Sequence, residues 1–188
     1  WGEELRRFAP EINFALIAGN QEERTQKLEQ YKNFDVIVTS YDLLKRDIAH
    51  YEDKEFTYQI VDEAQYIKNH TTAAAKAVKA VTSRTRYALT GTPIENRLSE
   101  LWSIFDYLIP GYLYGYDVFR NDFEAPIIKN EDQQSLERLQ RMTAPFILRR
   151  MKENVLKDLP EKLEESRYVK FESSQQKLYD AQVVYMKQ

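Results

Sequence analysis

Short apolar runs alternate with helical patterns over the first 108 residues of this 188-residue chain, and this alternation constrains the fold more than any other feature. Each run is brief, rich in β-branched or aromatic residues and not strictly alternating, which is typical of strands buried on both faces of a mainly parallel sheet. Strands are predicted over residues 12–17, 34–38, 58–61 and 87–89. Strands that alternate with helices predict an α/β layered domain.

Two helices are predicted in this α/β region from apolar side chains that recur at helical spacing. The first has Thr71 or Thr72 as its N-cap and carries its apolar face on Ala74, Ala77, Val78 and Val81. The apolar face of the second helix consists of Leu98, Leu101, Trp102, Phe105 and Leu108.

The pattern changes at residue 109. Residues 109–116 combine Pro and Gly with aromatic side chains and predict a packed loop. Strand signals then disappear until about residue 167, while a helix is predicted over residues 134–143. A last strand is predicted over residues 167–171, and Ser173 with Gln176 fits a capping box for a final helix through Lys187. The chain therefore divides into an α/β part (1–108), a helical insertion (109–160) and a terminal strand and helix (161–188).

Composition excludes several classes of protein. The chain has no cysteine, which excludes a disulfide scaffold, a thiolate zinc site and a cysteine nucleophile, and its two histidines argue against a histidine-rich metal centre. No uncharged apolar run approaches the roughly 20 residues of a membrane-spanning helix, so no membrane contact is predicted. The formal net charge is -3, so any contact with DNA must come from a local patch or be shared with a partner domain.

Polar residues follow three of the predicted strands at the points where the strands end. They are Thr39, Ser40, Tyr41, Asp62, Glu63, Gln65, Thr90, Gly91 and Thr92. In an open parallel sheet, ligands bind just outside the carboxyl ends of the strands. We therefore predict that the three polar clusters converge on one site.

Asp62 and Glu63 are the chemical centre of this predicted site. Adjacent carboxylates after an apolar strand fit nucleotide hydrolysis, in which one acid holds Mg²⁺, usually through water, and the next orients or deprotonates the attacking water. Because side chains alternate along a strand, the two carboxylates point in different directions, as two separate tasks require. An Asp-Glu pair also fits an ordinary polar loop, and residues 90–93 also fit a turn that caps the next helix.

Five segments of the chain are informative when they are read together, in the order in which they occur. They are, in order, FDVIVTSYDLL, YQIVDEAQYIKN, YALTGTPIENRLSELWSIFDYLIPG, FRNDFEAPI and PFILRRMKENVLKDLPEK. Together they resemble the Swi/Snf branch of the superfamily-two helicase-like ATPases, and the long segment that begins at Tyr87 is much more specific than the DEAQ tetrad. The resemblance implies a RecA-like lobe of the P-loop NTPase type, with ATP bound between this lobe and a second one and double-stranded DNA crossing both.

The resemblance also implies roles for the residues at the strand ends. The tetrad that contains Asp62, Glu63 and Gln65 matches motif II, in which Asp62 would bind Mg²⁺ and Glu63 would serve as the catalytic base. The triplet Thr90, Gly91 and Thr92 matches motif III, which links the state of the nucleotide to the grip on DNA. The triplet Thr39, Ser40 and Tyr41 matches motif Ib, which contacts the phosphate backbone of DNA.

Other segments match less directly. Trp1 and Glu4 are similar to the tail of motif Ia, and residues 109–160 match the helical protrusion of the family. Arg149 and Arg150 fall in the FILRR signature of that protrusion. Three roles stay open for these arginines: contact with DNA, contact with the second lobe, or attachment of the insertion. A basic run is most often a solvated face.

The chain lacks the phosphate-binding loop that such ATPases need. None of its five glycines is followed by Lys and then Ser or Thr, as G-x-x-x-x-G-K-[ST] requires. In the family this loop lies upstream of the segment seen here, and the second lobe with its arginine fingers lies downstream. We therefore expect a piece of a longer protein that uses ATP and Mg²⁺, and we expect the isolated piece to bind no ATP and to be inactive.

The predicted function is that of an ATP-driven translocase on double-stranded DNA, and two alternatives stay open. One is a degenerate lobe that acts as a DNA- or protein-binding scaffold, against which the intact Asp62-Glu63 pair argues. The other is a different superfamily-two motor, such as an RNA helicase or a restriction-enzyme translocase, against which residues 87–111 argue. The expected location is the cytoplasm, at the nucleoid, in a prokaryote, and the nucleus in a eukaryote.

Overall fold

Helices and strands alternate along the first part of the chain. The computed structural model describes residues 1–91, 97–150 and 165–186, which form two units, Trp1–Pro145 and Phe146–Gln188. In the first unit the elements are, in chain order, α1 (Gly2–Phe8), β1 (Phe14–Leu16), α2 (Gln21–Glu29), β2 (Val36–Val38), α3 (Tyr41–Arg46), β3 (Glu55–Val61), α4 (Ala73–Ala80), β4 (Thr82–Ala88), α5 (Leu98–Leu108), α6 (Tyr116–Phe119), α7 (Ala125–Asn130) and α8 (Gln133–Thr143). The second unit contains α9 (Ser173–Met186).

The strands pair in parallel, as predicted, but as two pairs. β1 pairs with β2, and β3 pairs with β4, each pair forming a two-stranded sheet. In the longer pair Ile60 lies opposite Tyr87 and Val61 opposite Ala88. Because the strands of a pair run in the same direction, their carboxyl ends reach the same edge of the sheet, and the loops that follow them become neighbours.

Both strands of the longer pair begin earlier than predicted. β3 begins at Glu55 and β4 at Thr82, in segments that are mostly polar and show no apolar run. Pairing with β3 already begins at Thr82, opposite Glu55, and further along β4 the Arg86 guanidinium donates hydrogen bonds to the carbonyls of Val81 at 3.1 Å and Tyr107 at 2.9 Å. The bond to Tyr107 fastens β4 to α5, and pairing with β3 continues where the apolar pattern is absent.

One face of the β3–β4 pair is exposed, which contradicts the prediction that the strands are buried on both faces. Tyr58 is 61% exposed, Ile60 60%, Tyr87 50% and Leu89 43%. The rings of Tyr58 and Tyr87 contact each other on this face, with centroids 6.3 Å apart. An apolar run predicts a strand whose two faces can both be buried. Whether both faces are buried depends on which other elements pack against the strand.

Two apolar clusters form the interior of the first unit, and α5 contributes to both. One cluster groups the strands and α4 with Tyr107, and the other groups Leu101, Trp102, Phe105, Leu113, Phe119, Phe123 and Leu139. Ser103, Ile104 and Tyr107, which lie outside the predicted apolar face of α5, are therefore buried as well. The division at residue 108 stays a prediction.

The remaining predictions for the first unit are largely confirmed. Thr72 is the N-cap of α4, and its hydroxyl oxygen accepts the N–H of Ala75, which is fully buried, whereas Ala74 is only half-buried. The loop over residues 109–116 is packed as predicted, since Leu113 is buried and the Trp102 indole N–H donates to a carbonyl of this loop. The predicted helix over residues 134–143 is α8.

Two predictions for the second unit are wrong. Residues 165–172 form no strand, and Tyr168 and Val169 are 97% and 89% exposed, because no strand of the described residues lies alongside to pair with them. α9 begins at Ser173, but its capping interaction comes from Gln175, whose side chain accepts the N–H of Glu172 at 3.2 Å. Gln176 instead donates to Asp180, and Lys187 lies outside the described residues.

None of the helices described is both long and apolar enough to cross a membrane.

Candidate active site

The polar ends of three strands meet at one edge of the first unit. The Tyr41 hydroxyl, which follows β2, donates to the backbone carbonyl of Asp62, which follows β3, at 2.6 Å. The Thr90 hydroxyl, which follows β4, donates to the side-chain oxygen of Gln65 at 3.1 Å. The predicted convergence is thereby confirmed. We refer to Tyr41, Asp62, Glu63, Gln65 and Thr90 as the strand-end site.

A chain of side-chain hydrogen bonds joins the loop after β4 to the loop after β3. Thr90 donates to Gln65, and the Gln65 amide donates in turn to the Glu63 carboxylate at 2.7 Å. Backbone bonds hold the two loops in register, since the Ala64 N–H donates to the Leu89 carbonyl at 2.8 Å. Gln65 therefore contacts both neighbours at once and connects Thr90 to the Glu63 carboxylate.

The backbone of Glu63 adopts a left-handed conformation, with φ 51° and ψ 53°. This conformation costs a residue with a Cβ about 1–2 kcal/mol. The short helical turn that follows holds it in place, because Ala64 and Ile67 are fully buried and the buried Ser103 hydroxyl donates to the Ile67 carbonyl at 2.6 Å. Strain that the surrounding packing maintains in this way is typical of functional sites.

The Asp62 carboxylate accepts a hydrogen bond on each oxygen. Oδ1 accepts the N–H of Glu63 and Oδ2 accepts the indole N–H of Trp1, both at 2.9 Å. The side chain is exposed, and the described residues contain no group of three or more His, Asp or Glu that could surround a metal ion. A single accessible carboxylate suits Mg²⁺, which keeps several waters and binds through one or two carboxylates together with substrate phosphates.

Tyr41 is held in its protonated form. Burial raises the pKa of its hydroxyl to about 12, with a smaller contribution from the negative charges of Asp62 and Glu63. Its ring stacks on Tyr66, with centroids 5.3 Å apart. Tyr41 therefore donates to the backbone that carries the two acids at neutral pH and well above it.

The other two residues matched to motif Ib lie within the fold. The Thr39 hydroxyl is buried and has no hydrogen-bond partner among the described residues, as is also true of the Tyr51 hydroxyl, and burial raises the pKa of Tyr51. Ser40 is the N-cap of α3, where its hydroxyl oxygen accepts the N–H of Leu43 at 3.3 Å. Contact between residues 39–41 and DNA stays a prediction.

The remaining predicted residues are Gly91, Thr92, Arg149, Arg150 and Trp1. Gly91 is exposed next to Thr90, and Thr92 lies outside the described residues. Arg149 and Arg150 are exposed and belong to the second unit. Trp1 is the residue whose position the sequence did not reveal, because 61 residues separate it from Asp62. Its resemblance to the tail of motif Ia is the signal that the sequence offers, and that resemblance does not identify a hydrogen-bond partner.

Comparison with known proteins relates the whole chain to one family. A family model described as the SNF2-related domain matches residues 1–188. An uncharacterized ATP-dependent helicase of Mycoplasma genitalium is 42% identical over 182 residues, covering 97% of this chain and 17% of the relative. The TATA-binding protein-associated factor MOT1 of Saccharomyces cerevisiae is 38% identical over 190 residues, covering 95% of this chain and 10% of the relative. The chain thus spans a small part of these relatives.

A solved structure extends the likeness to the fold. The SWI2/SNF2 ATPase core of Sulfolobus solfataricus, in complex with double-stranded DNA, matches with a TM-score of 0.75 and 41% identity. The match covers 98% of this chain and 38% of that chain. It confirms the predicted α/β, RecA-like class of fold and corresponds to part of an ATPase core.

Proposed function

This chain belongs to the SNF2-related domain family, and on that premise we propose that its parent protein is an ATP-dependent motor that moves along double-stranded DNA. The names of its relatives support the use of ATP, and the DNA-bound core of Sulfolobus solfataricus supports DNA as the track. The main structural support is the pair of hydrogen bonds from Thr90 to Gln65 and from Gln65 to Glu63. These bonds connect the candidate catalytic base to the loop after β4.

The strand-end site would contribute two acids to hydrolysis. Asp62 would hold Mg²⁺ through water, and the bound ion would neutralise charge that develops on the transferred phosphate. Glu63 would orient the attacking water and accept its proton, because the Gln65 amide fixes one oxygen of its carboxylate. The phosphate-binding loop and the arginines that complete this chemistry would come from other parts of the parent protein, including a second RecA-like lobe.

Residues that follow β2 and β4 would link ATP hydrolysis to the contact with DNA. Thr90, with Gly91 and Thr92, would transmit the state of the nucleotide, and residues 39–41 would contact the phosphate backbone. Arg149 and Arg150 would supply local positive charge for contact with phosphates in a chain whose net charge is -3. The parent protein would act wherever the DNA lies, at the nucleoid of a prokaryote or in the nucleus of a eukaryote.

The substitution Glu63→Gln in the full-length protein tests the catalytic assignment. It keeps the size and hydrogen-bonding capacity of the side chain but removes its basicity, so we expect DNA-stimulated ATP hydrolysis to fall by at least about a hundredfold. The affinity of the variant for a double-stranded oligonucleotide at constant salt should stay within about twofold of that of the unsubstituted protein, because Glu63 takes no part in the proposed contacts with the phosphate backbone of DNA.

Glu52→Gln is the matched control, since Glu52 is exposed and lies outside the strand-end site. This variant should hydrolyse ATP at the unsubstituted rate. Unchanged hydrolysis in Glu63→Gln would remove Glu63 as the base. Absence of hydrolysis in the unsubstituted full-length protein would instead favour the scaffold alternative.

A further inference from the structure

The indole of Trp1 forms a long-range hydrogen bond to one of the two proposed catalytic acids. Its Nε1–H donates to Oδ2 of Asp62 at 2.9 Å, across 61 residues of sequence. Trp1 also lines a surface recess with Asp62, with Glu4, Leu5 and Phe8 of α1, and with Ala9, which follows α1. Asp62 therefore contacts the N-cap residue of α1 as well as its own loop.

Close packing at the start of α1 determines where this indole lies. Trp1 is the N-cap of α1, and its carbonyl accepts the N–H of Leu5 at 2.9 Å. At Gly2, a Cβ would lie 3.2 Å from the Leu16 side chain, which is tighter than almost all such contacts. The start of α1 thus packs closely against β1, and the indole of the preceding residue lies within hydrogen-bond distance of Asp62.

The two donors leave the Asp62 carboxylate able to bind a hydrated cation. An indole N–H is only a donor, and each carboxylate oxygen can accept about two hydrogen bonds. One lone pair of each oxygen is taken, by Trp1 and by the Glu63 N–H, and these bonds restrict rotation of the carboxylate. A second lone pair on each oxygen remains for waters bound to a metal ion.

We propose that Trp1 is a positioning residue for Asp62, whose indole N–H holds the carboxylate in the orientation that binds hydrated Mg²⁺. This inference rests on the proposed function, because it assigns Trp1 to the metal-binding acid of that site. Partners that orient a metal-binding side chain commonly change metal affinity by about tenfold or more. Trp1 is 62% exposed, so water competes for its hydrogen bond and we expect the lower end of this effect.

The test uses the full-length protein with ADP bound and Mn²⁺ as the probe for the metal, detected by electron paramagnetic resonance. Trp1→Phe keeps an aromatic ring but removes the N–H donor, and we expect it to weaken Mn²⁺ binding by about threefold to tenfold. Trp102→Phe is the matched control, because the Trp102 indole donates to the Tyr114 carbonyl in the second apolar cluster. It should leave Mn²⁺ binding unchanged.

A second readout needs neither metal nor turnover. In protein labelled with ¹⁵N-tryptophan, the indole resonance that disappears in Trp1→Phe should shift upfield in Asp62→Ala, while the Trp102 resonance stays in place. Unchanged Mn²⁺ binding in Trp1→Phe, or an unmoved Trp1 resonance in Asp62→Ala, would overturn the proposal. If Asp62→Ala itself left Mn²⁺ binding unchanged, the metal role of Asp62 in the proposed function would fail, and the inference with it.

Discussion

Removing the Thr90 hydroxyl should slow ATP hydrolysis although Thr90 is not one of the two proposed catalytic acids. Thr90→Val keeps the shape of the side chain but deletes the donor to Gln65, whose amide holds the Glu63 carboxylate. A neutral hydrogen bond contributes about 0.5–1.5 kcal/mol. If that energy orients Glu63 in the transition state, kcat should fall by about twofold to tenfold, since 1.4 kcal/mol corresponds to a tenfold change in rate.

A double-mutant cycle separates this effect from general damage. DNA-stimulated hydrolysis by the full-length protein is measured for Thr90→Val, Gln65→Ala and the double variant. Because both residues act through one chain of hydrogen bonds, the double variant should be little slower than Gln65→Ala, with a coupling energy of about 0.5–1.5 kcal/mol. Thr85→Val is the control, since Thr85 lies on β4, the strand that leads to Thr90, but is exposed on its outer face, opposite Tyr58.

Additive effects of Thr90→Val and Gln65→Ala would refute this reasoning. So would a loss of activity in Thr85→Val equal to that in Thr90→Val, because it would show that any change in β4 has the same result.

Two further predictions concern stability. Tyr107→Phe should lower the free energy of unfolding, measured by urea denaturation, by about 1–2 kcal/mol. The hydroxyl of the buried residue Tyr107 donates to the Gln59 carbonyl at 3.1 Å, and its loss leaves that carbonyl without this donor. The Tyr41 hydroxyl should stabilise the fold at neutral pH and cease to do so in alkali, because its pKa is raised to about 12 from an ordinary value of about 10. The difference in unfolding free energy between the unsubstituted protein and Tyr41→Phe should be constant below pH 10 and shrink from pH 10 through 12; a difference that does not change with pH would contradict the assignment.

Much of the fold could be predicted because the relevant patterns are local. Apolar runs located β3 and β4, helical spacing located α4, α5 and α8, and the N-cap of α4 was predicted at Thr71 or Thr72. The bounds of the strands were less accurate. Backbone pairing and the contacts of Arg86 extend β4 into polar residues, and the pattern of side chains carries no record of either.

The candidate site was predicted for a different reason. Parallel strands bring their carboxyl ends to one edge, so the polar residues after them had to converge if the direction of the strands was right. The partners of each side chain could not be predicted in this way. The bonds from Tyr41 to the Asp62 carbonyl and from Gln65 to Glu63 depend on how the loops fold after the strands end.

The sequence by itself determined the α/β class, the likeness to the Swi/Snf family and the identity of the two acids, because all three are contained in residue types and their order along the chain. The tertiary structure alone decided that Glu63 is left-handed, that Thr90 reaches Glu63 through Gln65, and that Trp1 contacts Asp62. It also decided that the outer face of β3 and β4 is exposed. The physical reason is one of range: propensity and periodicity act over a few neighbouring residues, whereas a hydrogen bond across 61 residues exists only after the chain has folded.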